Sequence, residues 1–415
     1  MLGLPATAKA QTVSIDEACR RAASGHEDVR IARQGVVSAR SAVSKATSRM
    51  LPSLTAEGSF TRYSEQQSAG DTLLQPDDSA SVSVRISQTL FSGGSKLSAR
   101  RGAKLGVERS RRQLDGTREA VLLSTTRAYY NALKATRDLE LKAAAVKRAG
   151  ERKRVASARF SVGEVVKSAV LRAEAEVAGA EAEFIKAKST MKDTNNRLKR
   201  IIGVTGELEL VEPEIGSAVN EGVDELIKLA LKRRLDYKES LLYRGIASEG
   251  VKEVRGTFLP TLKLEGVYNW YDKDPKTTFF QEESLSASLV LSYPLFEGGL
   301  RRAEMKEARS KVRVAELEVI AATHDIELEV REAYNRMESA VAVIEAYRRQ
   351  LSFAEEDYKM VFEQFKFGLA TTVDVIDSDT ELLGAERSLM NSTYDMQMAI
   401  LELKYAVGTL LDDYK

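Results

Sequence analysis

The phrase "LPSLTAEG" begins at Leu51 and "LPTLKLEG" begins at Leu259, 208 residues later. Five of the eight letters agree and a sixth is a Ser/Thr exchange, and the correspondence runs the length of the chain. At the same offset Asp16-Glu17 matches Asp224-Glu225, Ala22 matches Ala230 and Asp28 matches Asp236. After a slip of three, to an offset of 205, Leu90-Phe91 and Gly93-Gly94 match Leu295-Phe296 and Gly298-Gly299, and Ala128-Tyr129 matches Ala333-Tyr334. Gly163 then matches Gly368, Ala180-Glu181 matches Ala385-Glu386, and Gly203 matches Gly408. The chain of 415 residues therefore reads as one unit used twice, over residues 11–212 and 213–415. The slip falls in a turn-rich segment, where insertions cost little.

Each unit is expected to run helix, two strands, two long helices. No proline occurs between Asp77 and Glu212 or after Pro294, and proline is the residue that most reliably interrupts a helix. In those stretches apolar or small residues recur at steps of seven. Val312, Val319, Ile326, Ala333 and Ala340 form one such series, answered in the first unit by Val107, Leu114, Val121, Ala128 and Ala135. The last helix of each unit repeats the pattern, as in Val170, Val177 and Phe184 against Val375, Leu382 and Leu389. A seven-residue period sustained this long specifies coiled-coil packing. A continuous helix from Ser95 to Arg159 would measure about 100 Å at 1.5 Å per residue, too long for a compact core.

Four shorter runs alternate instead with period two, over about 53–65, 79–91, 261–272 and 284–296. In the last pair Leu264 and Trp270 alternate with Lys263 and Glu265, and Leu289 and Leu291 alternate with Ser286 and Ser288. Runs near ten residues with one apolar and one polar face suit strands that meet lipid on one side and water on the other. Leu264, Trp270, Leu289 and Leu291 are the expected lipid-facing residues. A sheet packed on a soluble core gives the same alternation, and a non-channel periplasmic coiled-coil scaffold is the competing reading. Four strands cannot close a barrel, and an open edge in hydrocarbon leaves backbone groups unsatisfied, so the membrane reading requires oligomerisation. Three copies give 12 strands, an even number in the range of known barrels.

Composition excludes most other functions. One cysteine rules out an intrachain disulfide, and two histidines cannot assemble the usual zinc spacings. A net charge of +1 without a block of like charge gives no nucleic-acid footprint. No phosphate loop or paired catalytic constellation occurs, so neither an enzyme nor a cofactor is expected. No run of about 18 apolar residues exists, which removes a transmembrane helix and leaves a barrel open. "MLGLPATAKA" at residues 1–10 ends in the small-x-small form of a signal-peptide cleavage site and is read as a possible remnant of an export signal.

The doubled unit, "LPSL" and "LPTL" opening the strands, "LFSGG" and "LFEGG" closing them, and the turns "RFSVGEVVKSAVLRAEAE" and "KFGLATTVDVIDSDTELLGAE" resemble the TolC-type outer-membrane efflux proteins. The resemblance covers residues 14–411. It implies an α+β membrane protein: a homotrimer with a 12-stranded β-barrel in the outer membrane, continued by an α-helical barrel through the periplasm. It implies a linker belt formed by about Val204 to Asn220 together with the C-terminus, and partners in a periplasmic adaptor protein and an inner-membrane transporter. The function implied is a passive duct for efflux or type I secretion.

Two sets of site residues follow from the resemblance. The helix-helix turns, Val162-Gly163 and Phe367-Gly368-Leu369, would contact the adaptor; the alternative is that both glycines only cap helices. Asp374 and Asp377, three apart at a helix start, share one face and would line the narrow inner mouth, where rings of carboxylates favour cations. Their alternative role is a favourable interaction with the helix dipole. Phe365 and Ala370 stand where family members often carry a polar aromatic and a basic residue that latch the mouth, so packing is expected to hold it here.

Overall fold

The computed structural model describes residues 11–214, 216, 221–277 and 280–414. The segment 1–10, and residues 215 and 217–220 of the expected linker, lie outside the described residues.

The two halves of the chain carry matching helices. The first half contains β1 (Gln11–Val13), α1 (Ile15–Gly25), α2 (Glu27–Ser48), β2 (Ser53–Arg62), β3 (Gln67–Ala69), β4 (Thr72–Gln75), β5 (Asp78–Phe91), α3 (Ser95–Ser161), α4 (Lys167–Ile202) and β6 (Leu208–Leu210). The second contains α5 (Val223–Arg233), α6 (Leu235–Gly256), β7 (Thr261–Asp274), β8 (Glu283–Ser292), α7 (Leu300–Lys366), α8 (Thr372–Val407) and a 3₁₀ turn at Leu410–Tyr414. Corresponding helices have equal lengths, 11, 22, 67 and 36 residues in each half.

The single helix expected before each strand pair is in fact two. The chain bends at His26 and again at the matching Arg234, both at extended ψ, where each backbone N–H still reaches back to Ala22 and Ala230. Those two alanines are fully buried, so tertiary packing holds the bend and no proline announces it. Two strands, β2 and β8, end earlier than alternation suggests, while β7 runs on to Asp274. β8 stops at Ser292 because Pro294 has no N–H to give a ladder. β2 stops at Arg62, whose guanidinium forms two 2.8 Å hydrogen bonds with the carboxylate of Asp78 across the hairpin.

The chain divides into two compact units. One comprises Gln34–Gln113 and Asp236–Ala322 and holds a four-stranded antiparallel sheet in the order β2-β5-β7-β8. Gly93, in the left-handed region at φ +60°, and Gly256 let the end of β5 and the end of α6 approach closely. A Cβ on Gly256 would lie 2.7 Å from the Ser95 backbone nitrogen.

The other unit comprises Met1–Arg33, Leu114–Leu235 and Thr323–Lys415. Its core gathers Val13, Ala18, Tyr129, Tyr130, Leu133, Leu198 and Tyr394. A parallel pair, β1 with β6, is fastened to α3 there: the Tyr129 hydroxyl donates to the carbonyls of Val13 (2.9 Å) and Val211 (2.6 Å). Burial pushes that phenol up to about 12. Periodicity carried no sign of this three-residue pairing, which is too short to alternate visibly.

Candidate functional site

The sheet separates its residues by chemistry, face against face. Register places Leu264 opposite Leu289, Leu262 opposite Leu291 and Tyr268 opposite Leu285, while Leu264, Tyr268 and Trp270 stand opposite Gln88, Val84 and Val82. Continued through β2, the same face carries Leu54, Ala56, Gly58 and Phe60. Leu264, Trp270, Leu289 and Leu291 therefore share one face. Lys263, Glu265, Ser286 and Ser288 occupy the other with Thr55, Glu57, Ser81 and Ser83.

The apolar face is uncovered. Leu289, Leu291, Leu285, Leu54 and Phe60 are 62–82% exposed. A contiguous apolar surface on this scale marks an interaction with lipid or another chain, because water penalises each uncovered square ångström by about 25 cal/mol. The sheet also has two free margins. Among the described residues β2 pairs only with β5, and β8 only with β7.

In the other unit the two helix-helix turns are built alike. At the first, Gly163 donates to Phe160 O (3.0 Å) and Glu164 donates to Arg159 O (2.9 Å), with Gly163 at φ +80°. At the second, Gly368 donates to Phe365 O and Leu369 to Gln364 O, with Gly368 at φ +79°. Both are Schellman motifs, in which a left-handed glycine satisfies the last helix carbonyls. The capping role of the glycines is thus visible in the hydrogen bonds. Capping accounts for the glycines and not for their neighbours, since Val162, Phe367 and Leu369 are 70–79% exposed. Arg159 ties the turns together, donating to the Phe365 carbonyl and pairing with Glu164. Phe365 itself is buried against Ala156, Ala173 and Val375.

Asp374 and Asp377 are both exposed on the first turns of α8. They are not equivalent. Asp374 closes a capping box with Thr371, accepting from its backbone N–H and its hydroxyl, both at 2.8 Å. The Thr371 backbone N–H, then the hydroxyl, holds the Asp374 carboxyl below the usual aspartate range. Its contribution to the helix start is complete above the ordinary aspartate value and fades as pH falls through the depressed one. Asp377 takes no part in the cap.

A buried ion cluster close to these turns was missed by sequence reasoning. Arg152, 1% exposed, donates to both oxygens of Glu176, to Asp379 (2.8 Å) and to the Tyr358 hydroxyl (3.4 Å). Arg148 donates to the other oxygen of Asp379 and to Glu386. The cluster joins α3, α4, α7 and α8. Its sequence signal was faint: the first-unit series continues at steps of seven through Lys142 to Ala149 and Ala156, and Arg152 is a charge three residues past Ala149.

Among the described residues no group of side chains could hold a metal ion, and no helix is long and apolar enough to cross a membrane. The sequence profile of the outer membrane efflux protein family matches residues 18–204 and 226–409. The outer membrane protein TolC of Vibrio cholerae is 25% identical over 378 residues, which is 89% of this chain and 84% of that protein. Two solved structures share the fold. A membrane protein from Pseudomonas aeruginosa superposes with a TM-score of 0.84 at 18% identity, covering 95% of this chain and 93% of that one. The CmeC outer membrane channel of Campylobacter jejuni gives 0.82 at 18% identity, covering 95% and 86%.

Proposed function

Because the chain belongs to the outer membrane efflux protein family, we propose that three copies close their sheets into a 12-stranded barrel and form a passive export duct. The observation that carries this reading is the four-stranded sheet with one bare apolar face, one polar face and two unpaired edges. Hydrocarbon accepts the apolar face, the polar face lines a wet lumen, and ring closure satisfies both edges. An even number of strands per copy keeps every neighbour antiparallel around the ring, whatever the number of copies; the number three comes from family resemblance.

In this reading Leu264, Trp270, Leu289 and Leu291 face lipid. The long helices α3, α4, α7 and α8 form the periplasmic tunnel, and the segment from about Val204 to Asn220 contributes to a belt around it. The turns at Val162-Gly163 and Phe367-Gly368-Leu369 meet a periplasmic adaptor, through which the duct serves an inner-membrane transporter. Exposed apolar side chains on two rigid, cross-tied turns suit that contact. Leu369→Asp buries no charge and breaks no cap, so the purified oligomer should be unchanged while export of the transporter's substrate is lost. Normal export in cells producing Leu369→Asp would remove this turn from the contact.

Asp374 and Asp377 line the inner mouth, and the experiment for the duct is electrical. The purified protein in planar bilayers should conduct and prefer cations. Asp377→Asn removes a charge without touching the capping box, so cation preference should fall while α8 keeps its start. Unchanged selectivity would leave Asp377 an ordinary helix-start carboxylate. A water-soluble rod that never inserts would favour the scaffold alternative.

A further inference from the structure

The unit that holds the sheet carries its positive charge unevenly. From Arg301 to Arg313 the helix α7 has six cations. Three of them sit beside a carboxylate: Arg301 pairs with Glu297 at 2.6 Å, Lys311 with Glu307 at 2.6 Å and Arg313 with Glu316 at 3.1 Å. The other three, Arg302, Lys306 and Arg309, have no carboxylate partner among the described residues, and their i, i+4, i+7 spacing puts them on one face. Like charges at that spacing weaken a helix. An anion from outside the chain would offset the repulsion.

With Arg255 from the end of α6, these three line a groove of about 500 Å³ over a floor of Phe258 and Met305. That volume is ordinary for a ligand site. Among the described residues no carboxylate lines the groove. Both floor side chains are half-buried, and the Arg301 guanidinium stands 6.0 Å from the centre of the Phe258 ring. The internal repeat makes the matching place in the first half basic as well. Arg101 and Lys104 stand 205 residues before Lys306 and Arg309, again without carboxylate partners among the described residues. Arg100 occupies the place of Met305 there and donates to the hydroxyl of Thr47, which occupies the place of Arg255, at 3.1 Å. The first half spends one of its cations on the chain itself, so the second half offers the freer set.

The groove has a definite place relative to the sheet. α6 ends at Gly256 and β7 starts at Thr261, while β8 ends at Ser292 and α7 starts at Leu300. Arg255, Phe258 and Arg302 are therefore at the junction of strand and helix, and Arg309 follows within about 14 Å along α7. Leu295 and Phe296, in the connection from β8 to α7, are exposed. In the duct reading the hydrocarbon ends at this junction and lipid phosphates begin. We propose that the groove binds the phosphate headgroup of an anionic phospholipid, whose acyl chains continue over the apolar face of the sheet. Each guanidinium can present two N–H donors to phosphate oxygens. The stems of arginine and lysine lie on the apolar floor while their heads reach the headgroup layer. A zwitterionic lipid brings its own cation beside the phosphate, so the groove favours a lipid of net negative charge.

The inference rests on the duct reading, and two measurements on one preparation keep them apart. Conductance in planar bilayers reports the duct. The groove is tested by titrating the purified oligomer in detergent with a short-chain phosphatidylglycerol, a short-chain phosphatidylcholine and inorganic phosphate. Phosphatidylglycerol should bind most tightly. Lys306→Gln with Arg309→Gln should weaken its binding about fivefold for each charge removed, whereas Arg348→Gln, which removes a cation paired with Glu345 on the far half of α7, should leave it unchanged. Particle size is checked first, and if the double variant does not assemble, Arg302→Gln alone should show the fivefold loss. A conducting protein that binds both lipids alike, or whose variants bind phosphatidylglycerol as tightly as the parent, overturns the groove alone. Inorganic phosphate binding as tightly as phosphatidylglycerol would make this a site for free anions and overturn the lipid. A protein that neither conducts nor distinguishes the lipids overturns the duct and the groove together.

Discussion

Leu289→Arg should prevent assembly in the outer membrane, whereas Ser288→Arg, one residue away on the same strand, should leave assembled protein at near-normal levels. Leu289 stands opposite Leu264 on the apolar face, and Ser288 stands opposite Glu265 on the polar one. An arginine facing lipid near the bilayer midplane costs about 2–4 kcal/mol, and a symmetric oligomer incurs that cost once per copy. Total stabilities are about 5–15 kcal/mol, so repetition makes the substitution decisive. On the polar face the same arginine would stay hydrated, with Glu265 across from it. The measurement is the amount of oligomer recovered from outer-membrane fractions. Equal loss at both positions would mean that the strand does not separate lipid from water.

Arg152→Met should produce the largest loss in the helical unit. Arg152 is buried with Glu176 and Asp379 as its partners, and removing it leaves the buried Asp379 carboxylate and the largely buried Glu176 carboxylate each short of a cation. Breaking a buried pair from one side costs about 3–5 kcal/mol, while replacing all partners by apolar residues is often close to neutral. Arg148 remains to hold Asp379, so Glu176 is the group most exposed to the loss. Arg152→Met should accordingly lower the thermal midpoint sharply, and adding Glu176→Met should recover a large part. An exposed pair supplies the control: Arg313 and Glu316 lie on the surface of α7, and Arg313→Ala should shift stability by no more than about 0.5 kcal/mol. A small effect for Arg152→Met would mean that the cluster is hydrated and adds little to the joining of the four helices.

The alternation of leucine and serine in β7 and β8 was legible because a two-residue period and an uncovered face leave nothing else to decide side-chain direction. The long helices were legible because a seven-residue series with no proline has few other folds. The bends at His26 and Arg234 were not, since they depend on what packs against Ala22 and Ala230 and not on the residues that turn. The β1–β6 pair was hidden for a similar reason. Its strands are about 195 residues apart in sequence, and a tyrosine hydroxyl from α3 fastens them. Among the site residues, Asp374 and Asp377 look alike in "VDVID", yet one is engaged in a cap and the other is not. That distinction requires the backbone of Thr371. The Arg152 cluster draws its members from four helices, and a single sequence gives no means of bringing them together.

A sheet with two unpaired edges closes only by oligomerising, and the closed ring has a fixed number of chains. Mass measurement of the protein extracted in detergent should return three chains of 45.8 kDa each, closed through β2 and β8. A stable monomer, with β2 and β8 both left unpaired, would contradict it.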